Sequence, residues 1–411
     1  MSRLLAVLVA AGVLTTACQS STVSEPTSTF DASTSTSRPE PENGPDRMVV
    51  STVTGAIVVY EPTGGEISRI DPPEGHIYSQ PTWLDSATVV FSVVSDSGEH
   101  LLAASNAETG RVVWRAEMES PPFYFSPAPP GGPYATTSLR NDPSGAGLIA
   151  ELVDRNGDVT PLSDESPFYT SWSPDGDTLA IHIAGQRLDV RRSGGLETIL
   201  SSTGLFQAPV WVERGLVTLR SVEGGQRLAL WSEGSFADVA QVEGPVGFVA
   251  SGNMIAIQAT ERPDAGSIAA GLRTQTLPMV TGGRLVVIDL ETEALETVSS
   301  ELAFLYQWDQ GGTSLLYATL GEGPLSLTWN IWSDGQSVEI ASFGLQPSWF
   351  RSLVPFFDQY AQSVRFWSSS GRYIGYPAVL DGDPVVVIDP VDRTGSVVIP
   401  SATWVSWAPS G

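Results

Sequence analysis

The sequence predicts an all-β protein built as one ring of repeated four-stranded sheets. Three observations support this fold class. Apolar and β-branched runs of four to seven residues recur along the chain, turn-forming residues separate them, and one aromatic position repeats at near-regular spacing. The 411 residues include 40 glycines and 30 prolines. Helical periodicity is nearly absent, so we expect turns to connect most strands.

An aromatic residue at the end of a strand, often followed four residues later by glycine, marks each repeat. Successive aromatic anchors are 37 to 60 residues apart, and most gaps match the roughly 40–50 residues of a propeller blade. We therefore predict a single β-propeller of eight four-stranded blades, or of seven if Phe125 or Phe248 lies outside the repeat. The anchors are Trp83, Phe125, Trp172, Trp211, Phe248, Trp308, Trp367 and Trp407.

The C-terminal strand predicts how the ring closes. The first blade, beginning near residue 48, has three strands but no aromatic anchor. Residues 402–407 end in the anchor Trp407 and supply the missing innermost strand. We expect this strand to join the N-terminal blade, because the closed ring then has no open sheet edge. The predicted propeller spans residues 47–411.

One copy of the repeat carries a family resemblance. Residues 169–181 read YTSWSPDGDTLAI, in which Pro174 and Gly176 suit a tight turn between two strands. This segment resembles the repeat of TolB-type β-propellers and is also similar to WD repeats. The resemblance implies an extracytoplasmic protein that acts by binding other proteins.

The N-terminus is typical of a bacterial lipoprotein. Residues 1–18 combine Arg3, a short apolar run and small residues before Cys18, the single cysteine. The apolar run is shorter than the roughly 20 residues of a membrane span, so it indicates a signal peptide. We expect acylation of Cys18 and a disordered Ser/Thr/Pro-rich tether over residues 19–46. The alternative is an ordinary cleaved signal peptide, which would leave the protein secreted.

Charge and composition exclude several function classes. The net charge is −25 and there is no lysine, which disfavours nucleic-acid binding and excludes lysine-based catalysis. One cysteine excludes a disulfide framework and a cysteine-based metal cluster. We expect no metal and no cofactor. We also expect a monomer that contacts the membrane only through its acyl anchor.

Two insertions interrupt the repeat. Residues 261–283 form a loop between the second and third strands of a blade, and residues 346–363 carry aromatic residues at helical spacing. The second insertion directly precedes an innermost strand, which places it near the channel mouth. Its aromatic face either packs on the propeller or forms a plug or partner-docking element. The candidate binding residues are Trp349, Phe350, Phe356, Phe357 and Tyr360.

No catalytic residue is predicted. The three histidines lack metal-site spacing, and no Gly-x-Ser-x-Gly motif occurs. The predicted function is that of a lipid-anchored module on the extracytoplasmic face of the bacterial cell membrane, which binds an envelope protein or another envelope component. The alternative is an enzyme that processes envelope glycan or peptide with an acidic and arginine-containing site in the channel. A structural or sensor subunit of an envelope complex is a third hypothesis.

Overall fold

Eight antiparallel sheets form the blades of one propeller, which confirms the predicted fold class. The computed structural model describes residues 45–259, 279–280 and 283–410, apart from residues 131, 194, 224, 245, 324–325, 381 and 392–395. Cys18, the tether and most of the insertion at 261–283 lie outside the described residues. The innermost strands of neighbouring blades contact one another around the ring.

The strands follow the chain from blade to blade. Blade 1 contains β1 (Met48–Thr52), β2 (Ile57–Tyr60) and β3 (Glu66–Ile70), and blade 2 contains β4 (His76–Trp83), β5 (Thr88–Ser95), β6 (His100–Asn106) and β7 (Val112–Glu117). Blade 3 contains β8 (Pro122–Pro127), β9 (Tyr134–Asn141), β10 (Leu148–Asp154) and β11 (Val159–Ser163). Blade 4 contains β12 (Phe168–Trp172), β13 (Leu179–Ile183), β14 (Arg187–Arg192) and β15 (Gly195–Leu200).

The second half of the ring has two irregular blades. Blade 5 contains β16 (Val210–Val212), β17 (Gly215–Val222), β18 (Gly225–Ser232) and β19 (Ser235–Val242). Blade 6 contains β20 (Val246–Ser251), β21 (Met254–Ala259), β23 (Arg284–Asp289) and β24 (Leu295–Ser299), and the two-residue strand β22 (Met279–Val280) adds to blade 5. Blade 7 contains β25 (Leu305–Trp308), β26 (Leu315–Leu320), β27 (Ser326–Ser333) and β28 (Gln336–Gly344). Blade 8 contains β29 (Ile374–Pro377), β30 (Val385–Ile388) and β31 (Ser396–Ile399), and β32 (Ala402–Trp407) returns to blade 1.

The innermost strand of blade 8 is reduced to one bridge, between Trp367 and Ile374. The segment before Trp367 is shared between two blades: the Gly375 N–H of β29 donates to the Phe366 carbonyl at 2.9 Å, while Arg365 bonds to blade 1. The Arg365 N–H donates to the Ser406 hydroxyl at 3.1 Å, and the Trp407 N–H donates to the Arg365 carbonyl at 3.0 Å. These backbone groups are therefore used between blades.

Burial explains why these sequences form these strands. Every residue of β13 is buried, because neighbouring blades cover both faces of the central strands. The outermost strand β15 is mostly exposed and carries glutamate and threonine. Apolar β-branched runs thus occupy the middle of each blade, and mixed sequences occupy the rim.

The ring closes where it was predicted to close. In blade 1, β32 pairs antiparallel with β1, with Met48 opposite Trp407 and Val50 opposite Val405. The order of this sheet is β3-β2-β1-β32, so β32 is the innermost strand. The ring therefore has eight blades, and no sheet edge opens where the repeat begins.

The disc has two faces, which we name by the connections they carry. The upper face carries the connections between blades and the turns between second and third strands, such as residues 71–75 and 53–56. The lower face carries the turns between first and second strands, such as residues 84–87 and 173–178. Each innermost strand runs from the upper face to the lower face and ends near its anchor.

Four anchors join adjacent blades with an indole hydrogen bond. Each indole Nε1–H donates to a carbonyl on the innermost strand of the preceding blade. The pairs are Trp83 with Ser406 at 2.8 Å, Trp172 with Ser126 at 3.1 Å, Trp211 with Ser171 at 3.1 Å, and Trp367 with Gln307 at 3.2 Å. The Nε1 atoms of Trp308 and Trp407 are buried with no hydrogen-bond partner in the described part of the chain.

We expect Trp83→Phe to lower the free energy of unfolding by about 1 kcal/mol more than Trp308→Phe. Both rings are buried, but only Trp83 loses a hydrogen bond and leaves a carbonyl unsatisfied. Urea unfolding of both variants measures the difference. Equal losses would show that the indole bonds add nothing beyond packing.

Candidate functional site

Residues 346–363 fill the upper part of the channel, and we call this segment the plug. It contains helix α1 (Pro347–Ser352), a 3₁₀ turn at Val354–Phe356 and helix α2 (Phe357–Tyr360). Pro347 suits the start of α1, because its fixed φ matches a helix and its missing N–H would have no partner there. Pro355 begins the second turn in the same way.

The buried aromatic residues of the plug contact several blades at once. The Trp349 ring lies 5.7 Å from Trp404 of blade 1, and the Phe357 ring lies 5.7 Å from Tyr306 of blade 7. The Tyr360 ring lies 5.1 Å from Tyr124 of blade 3. Since these partners lie on the innermost strands of three different blades, the plug lies across the channel.

Polar side chains bind the plug to the channel wall. The Thr170 N–H donates to the Gln359 side-chain oxygen at 2.9 Å, and the Gln359 amide donates back to the Thr170 carbonyl at 3.1 Å. The same amide also donates to the Tyr124 hydroxyl. Gln359 thereby satisfies backbone groups of β12 that no neighbouring strand reaches.

Asp358 is the carboxylate of the plug. Its Oδ2 accepts hydrogen bonds from the Gln207 side-chain amide at 2.7 Å and from the Ala208 N–H at 3.1 Å. Burial nevertheless raises the pKa of Asp358 to about 6, and the hydrogen bond from Ala208 opposes that rise. Burial also raises the pKa values of Tyr124 and Tyr306.

The described residues do not give Asp358 a second carboxylate. Its pKa is shifted by burial and backbone hydrogen bonds, with no contribution from another acidic side chain. A glycosidase of the usual kind needs two carboxyl groups on either side of the scissile bond. Within the same residues, no group of three or more His, Cys, Asp or Glu side chains could hold a metal ion.

The five candidate binding residues occupy different environments. Trp349, Phe357 and Tyr360 are buried against the channel wall. Phe356 is 49% exposed, so it is available to a partner. The side chain of Phe350 lies outside the described part of the structure.

Sequence reasoning missed the polar residues of this segment. Asp358 and Gln359 interrupt an aromatic stripe, and that interruption was the available signal. Their partners lie 151 and 189 residues away in the chain, so local spacing could not identify them. Arg365, two residues beyond the plug, was also missed.

Exposed large apolar side chains concentrate on the upper face. Among the described residues, eight lie there, five lie on outermost strands and one, Val391, lies on the lower face. The upper-face residues are Val53, Ile77, Leu205, Leu302, Leu320, Phe356, Val379 and Leu380. Exposed apolar side chains mark a contact surface for another macromolecule where they form a contiguous patch.

Comparisons with solved structures show the fold. The structure of the dihydro-heme d1 dehydrogenase NirN aligns with a TM-score of 0.57 at 13% identity, covering 90% of this chain and 76% of that one. A eukaryotic initiation factor aligns with a TM-score of 0.55 at 8% identity, covering 90% and 100%. TolB from Acinetobacter baumannii aligns with a TM-score of only 0.38 at 12% identity, covering 82% and 83%. The first two similarities support the propeller fold, and none of the three extends to a shared function.

No family model and no curated protein matches the chain in sequence. Among the helices of the described residues, none has the length and apolar character needed to cross a membrane.

We expect the melting-temperature difference between Asp358→Asn and wild type to increase as pH rises from 4 to 7. Below the ordinary pKa of 3.8, Asp358 is protonated in both the folded and the unfolded chain. Between 3.8 and about 6 the folded state keeps a proton that the unfolded state has lost, so the wild type loses stability as pH rises. Asparagine does not titrate and avoids this loss.

Calorimetry of both proteins at four pH values measures the effect. Asp175→Asn is the matched control. A hydrogen bond from Ser173 lowers the pKa of Asp175, so the stability that this carboxylate adds is already present above its ordinary pKa of 3.8, and the Asp175→Asn difference from wild type should stay nearly constant from pH 4 to 7. A pH-independent difference for Asp358→Asn would contradict the raised pKa.

Proposed function

We propose that the chain is a lipid-anchored, extracytoplasmic propeller that binds a protein of the cell envelope through its upper face. The observation that carries this proposal is the concentration of exposed apolar side chains on that face. Phe356 projects from the plug, and Val379 and Leu380 form part of a neighbouring turn of blade 8. Removal of such side chains from water is the main favourable term in most protein association.

The plug supports the proposal because it gives the upper face a fixed platform. Trp349, whose indole donates to the Thr403 carbonyl at 3.0 Å, fixes α1 to blade 1. Gln359 fixes α2 to blades 3 and 4. A partner that contacts Phe356 would therefore meet a surface whose shape is already set, which reduces the entropy lost on binding.

The N-terminal sequence supports the location. Cys18 follows a short apolar segment and is the single cysteine, and residues 19–46 have the composition of a flexible tether. A chain anchored in this way would stand off an anionic membrane surface, because its net charge is −25.

The double substitution Phe356→Ser and Leu380→Ser should reduce capture of the partner about tenfold while the protein stays folded. Both residues are exposed, so their loss should change stability little, whereas loss of apolar contact area at an interface weakens binding strongly. The measurement is crosslinked pull-down from membranes, with wild-type and variant chains expressed at equal levels.

Val391→Ser is the matched control, because Val391 is 89% exposed and lies on the lower face. Its capture should equal that of wild type. Undiminished capture by the double variant, or an equal loss in the control, would overturn the assignment to the upper face.

Cys18→Ala should move the protein from the membrane fraction to the soluble fraction. The thiol is the predicted site of acylation, and stable anchoring depends on the apolar area of the acyl chains. Membrane fractionation with and without detergent measures the change. An unchanged distribution would reject lipid anchoring without affecting the proposal for the upper face.

A further inference from the structure

Arg365 lies beside the closing strand β32, directly after the plug in the chain. It follows the last plug residue, Ser363, by two positions and precedes the anchor Trp367 by two. Its backbone is fixed on both sides, since its N–H donates to the Ser406 hydroxyl and its carbonyl accepts the Trp407 N–H. The residue is thus held where blade 8 meets the closing strand of blade 1.

The guanidinium of Arg365 has no partner among the described residues. Its Nη1 atom is buried without a hydrogen bond, and none of its side-chain nitrogens forms an ion pair there. The residue as a whole keeps some exposure. Burial alone lowers the pKa of Arg365 to about 10, so no carboxylate offsets its charge.

The other deeply buried arginine of the disc is paired. Arg140 donates from Nε to Glu151 at 2.9 Å and from Nη2 to Glu119 at 2.8 Å. The buried guanidinium of Arg140 is therefore paired with two carboxylates that balance its charge. No carboxylate among the described residues pairs with Arg365, although burying an unpaired charge is unfavourable.

We propose that Arg365 binds a carboxylate group of a ligand that enters the channel from the lower face. The lower face is the proposed route because the plug precedes Arg365 in the chain and the segment then runs to the anchor Trp367 near the lower face. The site is separate from the upper face and goes beyond the proposed protein-binding function.

The chemistry of the site favours a carboxylate over a phosphate. A planar guanidinium with free N–H groups matches a carboxylate with two parallel hydrogen bonds. One positive charge balances one carboxylate, whereas a phosphate dianion would keep an unbalanced charge in a low-dielectric channel. The net charge of −25 also opposes the approach of multiply charged anions.

The test is thermal unfolding of the full-length protein in sodium acetate, sodium succinate, sodium phosphate and sodium chloride at equal ionic strength and pH 7. A ligand that binds the folded state alone raises the melting temperature in proportion to the logarithm of its concentration above the dissociation constant. In wild type we expect acetate to raise the melting temperature in a dose-dependent manner relative to chloride, and succinate, which is a dianion at pH 7, to raise it less than acetate.

Three variants make the outcome specific. Arg365→Met should abolish the carboxylate-dependent rise, and its melting temperature in chloride should equal or exceed that of wild type, because an unpaired buried charge is gone. If Arg365→Met does not fold, Arg365→Gln tests the same loss of the carboxylate-dependent rise in melting temperature. Arg351→Met is the matched control, since Arg351 is exposed on the plug, and it should keep the full rise.

Each remaining outcome would overturn the proposal. A carboxylate-dependent rise that persists in Arg365→Met or Arg365→Gln would place binding elsewhere. No rise in wild type with acetate or succinate would show that the site takes no simple carboxylate. A rise with phosphate alone that depends on Arg365 would replace the carboxylate by a different anion.

Discussion

The antiparallel ladder between β32 and β1 is the constraint on which the disc depends. It joins two segments separated by almost the whole repeat array, and it gives blade 1 the innermost strand that its own sequence lacks. Without it, β1 would expose an unpaired edge at the centre of the ring. The same strand supplies the Ser406 carbonyl that accepts the Trp83 indole. Ring closure and the packing of blade 2 on blade 1 therefore depend on one strand.

An eight-bladed ring also creates the need for a plug. More blades place the innermost strands farther from the axis, so their side chains cannot meet across it and their polar groups face a cavity. The plug fills the upper part of that cavity with Trp349, Phe357 and Tyr360. It also supplies hydrogen bonds, because Gln359 satisfies both the N–H and the carbonyl of Thr170. Apolar burial and polar satisfaction are thus achieved by one segment.

The sequence predicted the features that repeat and not those that occur once. Aromatic spacing was sufficient for the blades, the closing strand and the helical segment, because each leaves a periodic signal. The anchors show the limit of that signal. Trp172 and Trp308 occupy the same register, yet the indole of Trp172 finds a carbonyl and that of Trp308 does not within the described residues. Blade twist decides this difference, and spacing along the chain does not encode it.

The polar residues of the channel show the same limit more strongly. Asp358 is bound by Gln207 from 151 positions away, and the environment of Arg365 is set by blade 1 rather than by its own neighbours in sequence. Charge composition alone would place every arginine of so acidic a chain on an ion-paired surface. Only the folded ring shows that the guanidinium of Arg365 is buried without a carboxylate partner among the described residues.

The plug divides the molecule into two regions with opposite chemistry. The upper face carries Phe356 and other exposed apolar side chains, and the segment after the plug carries the buried, unpartnered guanidinium of Arg365. The two regions are linked through backbone that is held at both ends, by Trp349 on Thr403 and by Arg365 on Ser406. Both fixed points lie on β32. The element that completes the ring is therefore one physical route by which binding in one region would influence the other.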